Sequence, residues 1–224
     1  MDAACELLFR RPTSKYSLLP GAGLVLHYVE VQKSASSTIR ALLADVARRA
    51  YSGRAVGEAA RLQGLSVFNF VFVRHPLDRF LSGYGTVMRQ LEKDIREDLQ
   101  EVSPAMREVV ALRDPERFNR FVGLFVEEGR AFYRHTPHCT LHHVAPQSWF
   151  LDLSLLPIDF VGRVERFSRD IQRLGAIVGV PLNHTRRLNK EVDQQSRLML
   201  MSQTLSIGLL RRHLDDEMRR FSYH

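Results

Sequence analysis

Cysteine is nearly absent from this chain: Cys5 and Cys139 are the only two in 224 residues. Two cysteines make neither a disulfide framework nor a paired-cysteine zinc site. A single bridge between them stays open, with nothing in the sequence to support it. No stretch approaches the roughly 20 apolar residues of a membrane-spanning helix. Residues 1–23 contain no apolar core of signal-peptide length, because Arg10, Arg11 and Lys15 interrupt it. As written, the chain is expected to be soluble and to carry no targeting segment. Internal repeats, low-complexity tracts and signs of a second domain are also lacking.

Hydrophobic residues make up 45% of the chain, which excludes global disorder and allows a sizeable core. Lys and Arg number 32 against 25 Asp and Glu, a formal net charge of +7. A basic balance favours anionic partners such as a nucleotide, a nucleic acid, a polyanionic glycan or a membrane surface. Charge alone is equally consistent with a soluble basic domain.

Residues 1–23 read as a polar lead-in ending in Pro20-Gly-Ala-Gly23, and residues 24–224 as one domain. Leu24 to Val31 and Val67 to Val73 are apolar runs of strand length, and Ile158 to Val161 is a short third strand. Ile39, Leu42, Leu43, Val46, Ala47 and Ala50 form one helical face with a stop at Gly53. Pro76 suits the first turn of a helix carrying Phe80, Leu81 and Tyr84. Residues 87–113 are predicted helical with a break at Pro104. Asp114-Pro115 reads as an N-cap and first-turn proline ahead of Phe118, Phe121, Val122 and Phe125. Residues 134–147 read as a loop. Phe167, Ile171, Leu174 and Val178 mark a helix ended by Gly179 and Pro181, and residues 183–197 are mainly loop. A last helix carries Ile207, Leu210, Leu214 and Phe221. Strands separated by helices predict an α/β fold with a mostly parallel central sheet flanked by helices.

Two segments carry the chemistry. Val29-Glu-Val-Gln-Lys33-Ser-Ala-Ser-Ser37-Thr38 runs from a strand into a lysine, a hydroxyl-rich turn and a helix. Phe70-Val-Phe-Val-Arg74-His-Pro76 runs from a strand into an arginine and a proline-started helix that carries Ser82. Each sets a cation and hydroxyl donors where exposed backbone N–H groups and the helix dipole favour an anion. Two such sites in one domain suit a nucleotide with phosphates at both ends. The first is not a Walker P-loop: Lys33-Ser34 is present, but Gln32 stands where that motif needs the glycine before its lysine. Neither strand end offers an obvious aspartate for Mg²⁺.

The pair resembles the two phosphate-binding elements of sulfotransferases that use 3′-phosphoadenosine-5′-phosphosulfate (PAPS), with carbohydrate sulfotransferases of the Golgi type as the nearest match. Weaker similarity continues through His143-Val-Ala-Pro146-Gln147-Ser-Trp149-Phe-Leu151, Ile158-Asp-Phe-Val-Gly162-Arg163-Val-Glu165 and Leu214-Asp-Asp216-Glu-Met-Arg-Arg-Phe221-Ser-Tyr223. The resemblance implies a P-loop-like, three-layer domain that moves a sulfuryl group from PAPS to an acceptor hydroxyl. It implies that Lys33, Ser36, Ser37 and Thr38, with main-chain N–H groups from Ser34 through Ala35, hold the 5′ end, and that Arg74 and Ser82 hold the 3′-phosphate. Lys33 is also the expected catalytic cation, because charge builds on the oxygen that leaves with the phosphate. The acceptor is expected to be a carbohydrate or another hydroxyl compound, anionic ones included. No nucleic acid, metal or membrane span is expected. Golgi members of the family carry an N-terminal anchor, so a Golgi lumen location is implied if such an anchor is missing here.

His135, His138, His142 and His143 surround Cys139. The adjacent histidines and the distant second cysteine argue against zinc. Imidazole suits a general base, and His143 aligns with the family's histidine before Pro-Gln. Glu30 and Glu165 remain rivals for that role. Arg79 has a weaker claim on phosphate and is expected to pair with Asp78 or solvent. Asn183-His-Thr185 is a glycosylation sequon, relevant only in the secretory pathway. Two other functions stay open: a nucleotide-dependent, kinase-like phosphotransferase, and a non-catalytic polyanion-binding module on a sulfotransferase scaffold.

Overall fold

Alternating strands and helices fold here around a five-stranded sheet. The computed structural model describes residues 15–18, 24–46, 49–52, 64–98, 101–136, 139–154, 157–182 and 194–223. They fall into two units: the described residues of 11–75 with 147–190, and those of 76–146 with 191–224.

The first unit contains the sheet. Its elements are β1 (Lys15–Leu18), β2 (Leu24–Tyr28), α1 (Ser36–Val46), β3 (Arg49–Ser52) and β4 (Ser66–Val73), followed later in the chain by α5 (Gln147–Ser154), β5 (Phe160–Arg163) and α6 (Phe167–Val178). The strand order is β3-β1-β2-β4-β5. β2, β4 and β5 are parallel, with Tyr28 opposite Phe70 and Val73 opposite Arg163. β1 runs antiparallel to both β2 and β3. The sheet is therefore mostly parallel, as the alternation of strands and helices predicted.

Side-chain alternation builds the core. Leu26, Tyr28, Phe70, Phe72 and Phe160 share one sheet face with Ile39, Leu42 and Leu43 of α1 and Phe167, Ile171, Leu174 and Val178 of α6. Val25, Val71 and Val73, of the opposite parity, are buried too, the pattern of a parallel strand covered on both faces. Phe72 lies at the centre, with its ring centroid 5.1 Å from that of Phe167 and 6.2 Å from that of Phe160. Gly162 leaves room for it: a Cβ there would stand 2.5 Å from the Phe72 ring.

The second unit is helical: α2 (Pro76–Glu97), α3 (Pro104–Ala111), α4 (Glu116–Glu128), α7 (Gln194–Met201), α8 (Thr204–His213) and α9 (Asp215–Arg220), with 3₁₀ turns at Gly129–His135 and Cys139–His143. Phe80 and Tyr84 of α2 meet Phe118, Phe121 and Phe125 of α4, and Phe132 closes the cluster. Among the described residues no helix is long and apolar enough to cross a membrane.

Several local expectations change. The lead-in contributes β1, and the helix read to Ala50 stops at Val46, since the backbone of Arg49–Ser52 pairs with β1. The third strand starts at Phe160 rather than Ile158. Asp114 does not cap α4; its carboxylate accepts the Tyr84 hydroxyl at 2.5 Å. Residues 139–143 form a 3₁₀ turn, Gln194–Met201 is helical, and the last helix breaks at Leu214. Cys5 and Asn183 lie outside the described residues.

Candidate active site

Parallel neighbours β2 and β4 end at the same edge of the sheet, so the segments that leave Tyr28 and Val73 emerge side by side. The amide of Val29 still bonds the carbonyl of Phe70 at 2.9 Å, which carries the pairing one step past β2. The chain then turns sharply. Ser34 N donates to Val31 O at 3.3 Å, and the Ser36 hydroxyl donates to the same carbonyl at 2.9 Å. Lys33 and Ala35 both adopt the left-handed region, each with φ of 64°. A residue with a Cβ costs roughly 1–2 kcal/mol there. Such strain concentrates at functional loops. Alternation into the left-handed region turns successive main-chain N–H groups inward as an anion-binding nest. α1 starts at Ser36, so the nest opens onto a helix N-terminus.

Lys33 and Ser37 are half-buried, whereas Ser34, Ser36 and Thr38 are buried. Beneath the loop, burial pushes the Tyr28 phenol up, and the nearby Glu30 charge adds to that, so it stays neutral. Glu30 is 3% exposed, and its Oε1 faces Arg40 at 3.5 Å and Gln32 at 3.4 Å. That rival base is thus engaged by α1.

Arg74 follows β4 and is half-buried. Its main chain is gripped by Gln147, a fully buried residue at the start of α5. Arg74 N donates to Gln147 Oε1 at 2.8 Å, and Gln147 Nε2 donates to Arg74 O at 2.8 Å. Oε1 also accepts the Ser34 hydroxyl at 3.3 Å. One carboxamide therefore ties both candidate phosphate-binding elements together. Reading the residues missed this; its only signal was the Pro146-Gln147 pair within a weaker family match. Glu165, beyond β5, accepts His75 N at 2.6 Å, so this second rival carboxylate braces the turn after Arg74.

Ser82 and His143 belong to the helical unit. Ser82 lies on α2, half-buried, with its carbonyl accepting from Thr86. The next residue, Gly83, packs on the 3₁₀ turn that carries His143. Arg79 is 2% exposed and donates to the carbonyls of His143 and Ala145. It is a clasp, not a partner of Asp78, which instead meets Arg197 at 2.5 Å. The rings of His142 and His143 lie 4.2 Å apart. Among the described residues no cluster of His, Cys, Asp or Glu has the makings of a metal site.

The nest, the helix N-terminus, Lys33 and the neighbouring Arg74 gather N–H donors and positive charge of the kind that suits anions. A model of the sulfotransferase family matches residues 23–221. No curated protein and no solved structure gives a match to this chain. With the match running from just before β2 to the end of α9, the chain belongs to the sulfotransferase family, PAPS-dependent enzymes that move a sulfuryl group onto an acceptor.

Proposed function

We propose that this protein transfers the sulfuryl group of PAPS to a hydroxyl of a carbohydrate acceptor. The observation that carries the reading is the pair of left-handed residues, Lys33 and Ala35, between β2 and α1, beside the strand end that bears Arg74. The main-chain N–H groups from Ala35 to Thr38, with the hydroxyls of Ser37 and Thr38, hold the 5′-phosphate, while Ser34 N and the Ser36 hydroxyl shape the loop by donating to Val31 O. Arg74 offers a guanidinium for bidentate contact with the 3′-phosphate. The family resemblance assigns Ser82, on α2, to the same phosphate.

When bound, PAPS supplies a sulfuryl group whose bond to the 5′-phosphate breaks as the acceptor oxygen bonds sulfur. The Lys33 ammonium stabilises the charge that gathers on the departing oxygen. The His143 imidazole takes the acceptor proton. Glu30 and Glu165 are less suited to that step, because Arg40 and His75 N already engage them. The scheme calls for no metal.

Transfer of radiolabelled sulfate from PAPS onto a panel of glycans and small hydroxyl compounds tests this directly. Labelled glycan is the expected product. Label on small hydroxyl compounds alone would overturn the carbohydrate assignment. Cofactor binding with no transfer to anything would leave a non-catalytic scaffold.

A further inference from the structure

We propose that Gln147 is a positioning residue that couples the two ends of the nucleotide site. The proposal rests on the reading above, in which the loop after β2 and Arg74 take opposite ends of one nucleotide. Gln147 touches neither phosphate in that reading; it acts through Arg74 and Ser34. Its carboxamide reproduces a strand neighbour, since it accepts from Arg74 N and donates to Arg74 O, each at 2.8 Å. This pins the main chain of the residue whose side chain must reach the 3′-phosphate. The same Oε1 accepts from Ser34, which lies between the two left-handed residues of the loop. Gln147 and Ser34 are both 0% exposed, so water does not substitute for these bonds. The orientation of the amide is unambiguous: a flip would set its NH₂ against the N–H of Arg74.

Gln147→Glu separates this role from simple packing. Ionised glutamate keeps the acceptor but turns a negative oxygen toward the Arg74 carbonyl. Protonated glutamate restores an O–H donor in the same place. Burial favours the protonated form, so the defect should shrink as pH falls. Affinities for 3′,5′-adenosine bisphosphate and for AMP are measured from pH 5.5 to 8.5, each divided by the wild-type value at the same pH. At the alkaline end the bisphosphate should lose about tenfold or more, and AMP less than about threefold. The bisphosphate deficit should recover toward acid pH. Equal losses for both nucleotides, no loss, or a deficit indifferent to pH would overturn the proposal.

Should Gln147→Glu fail to fold, Ser34→Ala removes only the loop-side bond. Both nucleotides should then weaken together by about two- to tenfold, with unchanged affinity counting against the coupling. If the wild type itself binds the bisphosphate no better than AMP, the 3′-phosphate reading falls and this proposal with it. Discrimination preserved in both wild type and Gln147→Glu would remove only the role of Gln147.

Discussion

Gly83→Ala puts one methyl group where α2 meets the turn that carries His143. The new Cβ would lie 2.3 Å from His143 O, 2.9 Å from His143 C and 2.9 Å from Val144 Cγ1. The two nearest atoms are backbone, so no rotamer change relieves the clash. Real Cβ contacts stay beyond 3.0 Å, so the turn must retreat by about 0.7 Å. That shift stretches the 3.3 Å bond from Arg79 to His143 O and disturbs a guanidinium that is 2% exposed. Overpacking costs about 1–3 kcal/mol. A weakened bond to a charged donor adds up to about 1.5–3 kcal/mol. Better helix propensity returns about 1 kcal/mol. The net expectation is about 1.5–5 kcal/mol of destabilisation, a fall in Tm of roughly 3–20 °C for a chain of this length. Gly85→Ala is the control two residues along the same helix. Its Cβ would meet only Arg89 Nη1, at 3.6 Å, so it should be neutral or stabilising. Urea unfolding of both variants decides the matter. Equal stability of the two, within about 0.5 kcal/mol, would refute the close approach of Gly83 to His143. With His143 as the base, Gly83→Ala should also lower sulfate transfer while bisphosphate affinity stays near wild type.

Lys33→Ala should cut turnover by about 10²–10³ with the fold intact, and His143→Ala by about 10²–10⁴ with cofactor affinity unchanged; normal turnover in a folded variant would exclude the residue. Arg74→Ala should weaken bisphosphate binding by about tenfold or more and spare AMP, and calorimetric titration showing equal losses would make Arg74 structural. Burial, with the hydrogen bond to Asp114 reinforcing it, holds the Tyr84 phenol well above its ordinary range. Its stabilising contribution is therefore complete below about pH 10 and is lost above it, where the unfolded chain ionises first. Tyr84→Phe should lower stability at neutral pH, because Asp114 loses its donor, and should flatten the alkaline limb of the unfolding profile above about pH 10. An unchanged limb would argue against a buried phenol at that position.

Local pattern made much of the fold legible. The apolar run at 24–31 contains β2, the run at 67–73 covers β4 except its first residue, Ser66, and the Phe167, Ile171, Leu174 and Val178 stripe lies on the buried face of α6. The short strands β1 and β3 gave no periodic signal, because strands of four residues are set by the neighbour they pair with. Asp114-Pro115 had the composition of a cap, yet a partner 30 positions away, Tyr84, claims the carboxylate. Asp78 and Arg79 stand next to each other in sequence, but successive helix positions face different directions, so one meets Arg197 and the other the carbonyls beside His143.

Composition and motif determined by themselves that this is an α/β protein with cations and hydroxyl residues at two strand-to-helix junctions, Lys33–Thr38 and Arg74. Those properties reside in contiguous residues whose local conformations the chain largely dictates. The tertiary structure alone decided that β2 and β4 are parallel neighbours, which brings those elements to one sheet edge. It alone assigned Gln147 to Arg74 and Ser34, across 73 and 113 positions. Glutamine carries no directional preference in sequence; its two donors and its acceptor acquire meaning only when burial removes water and leaves particular backbone groups to satisfy.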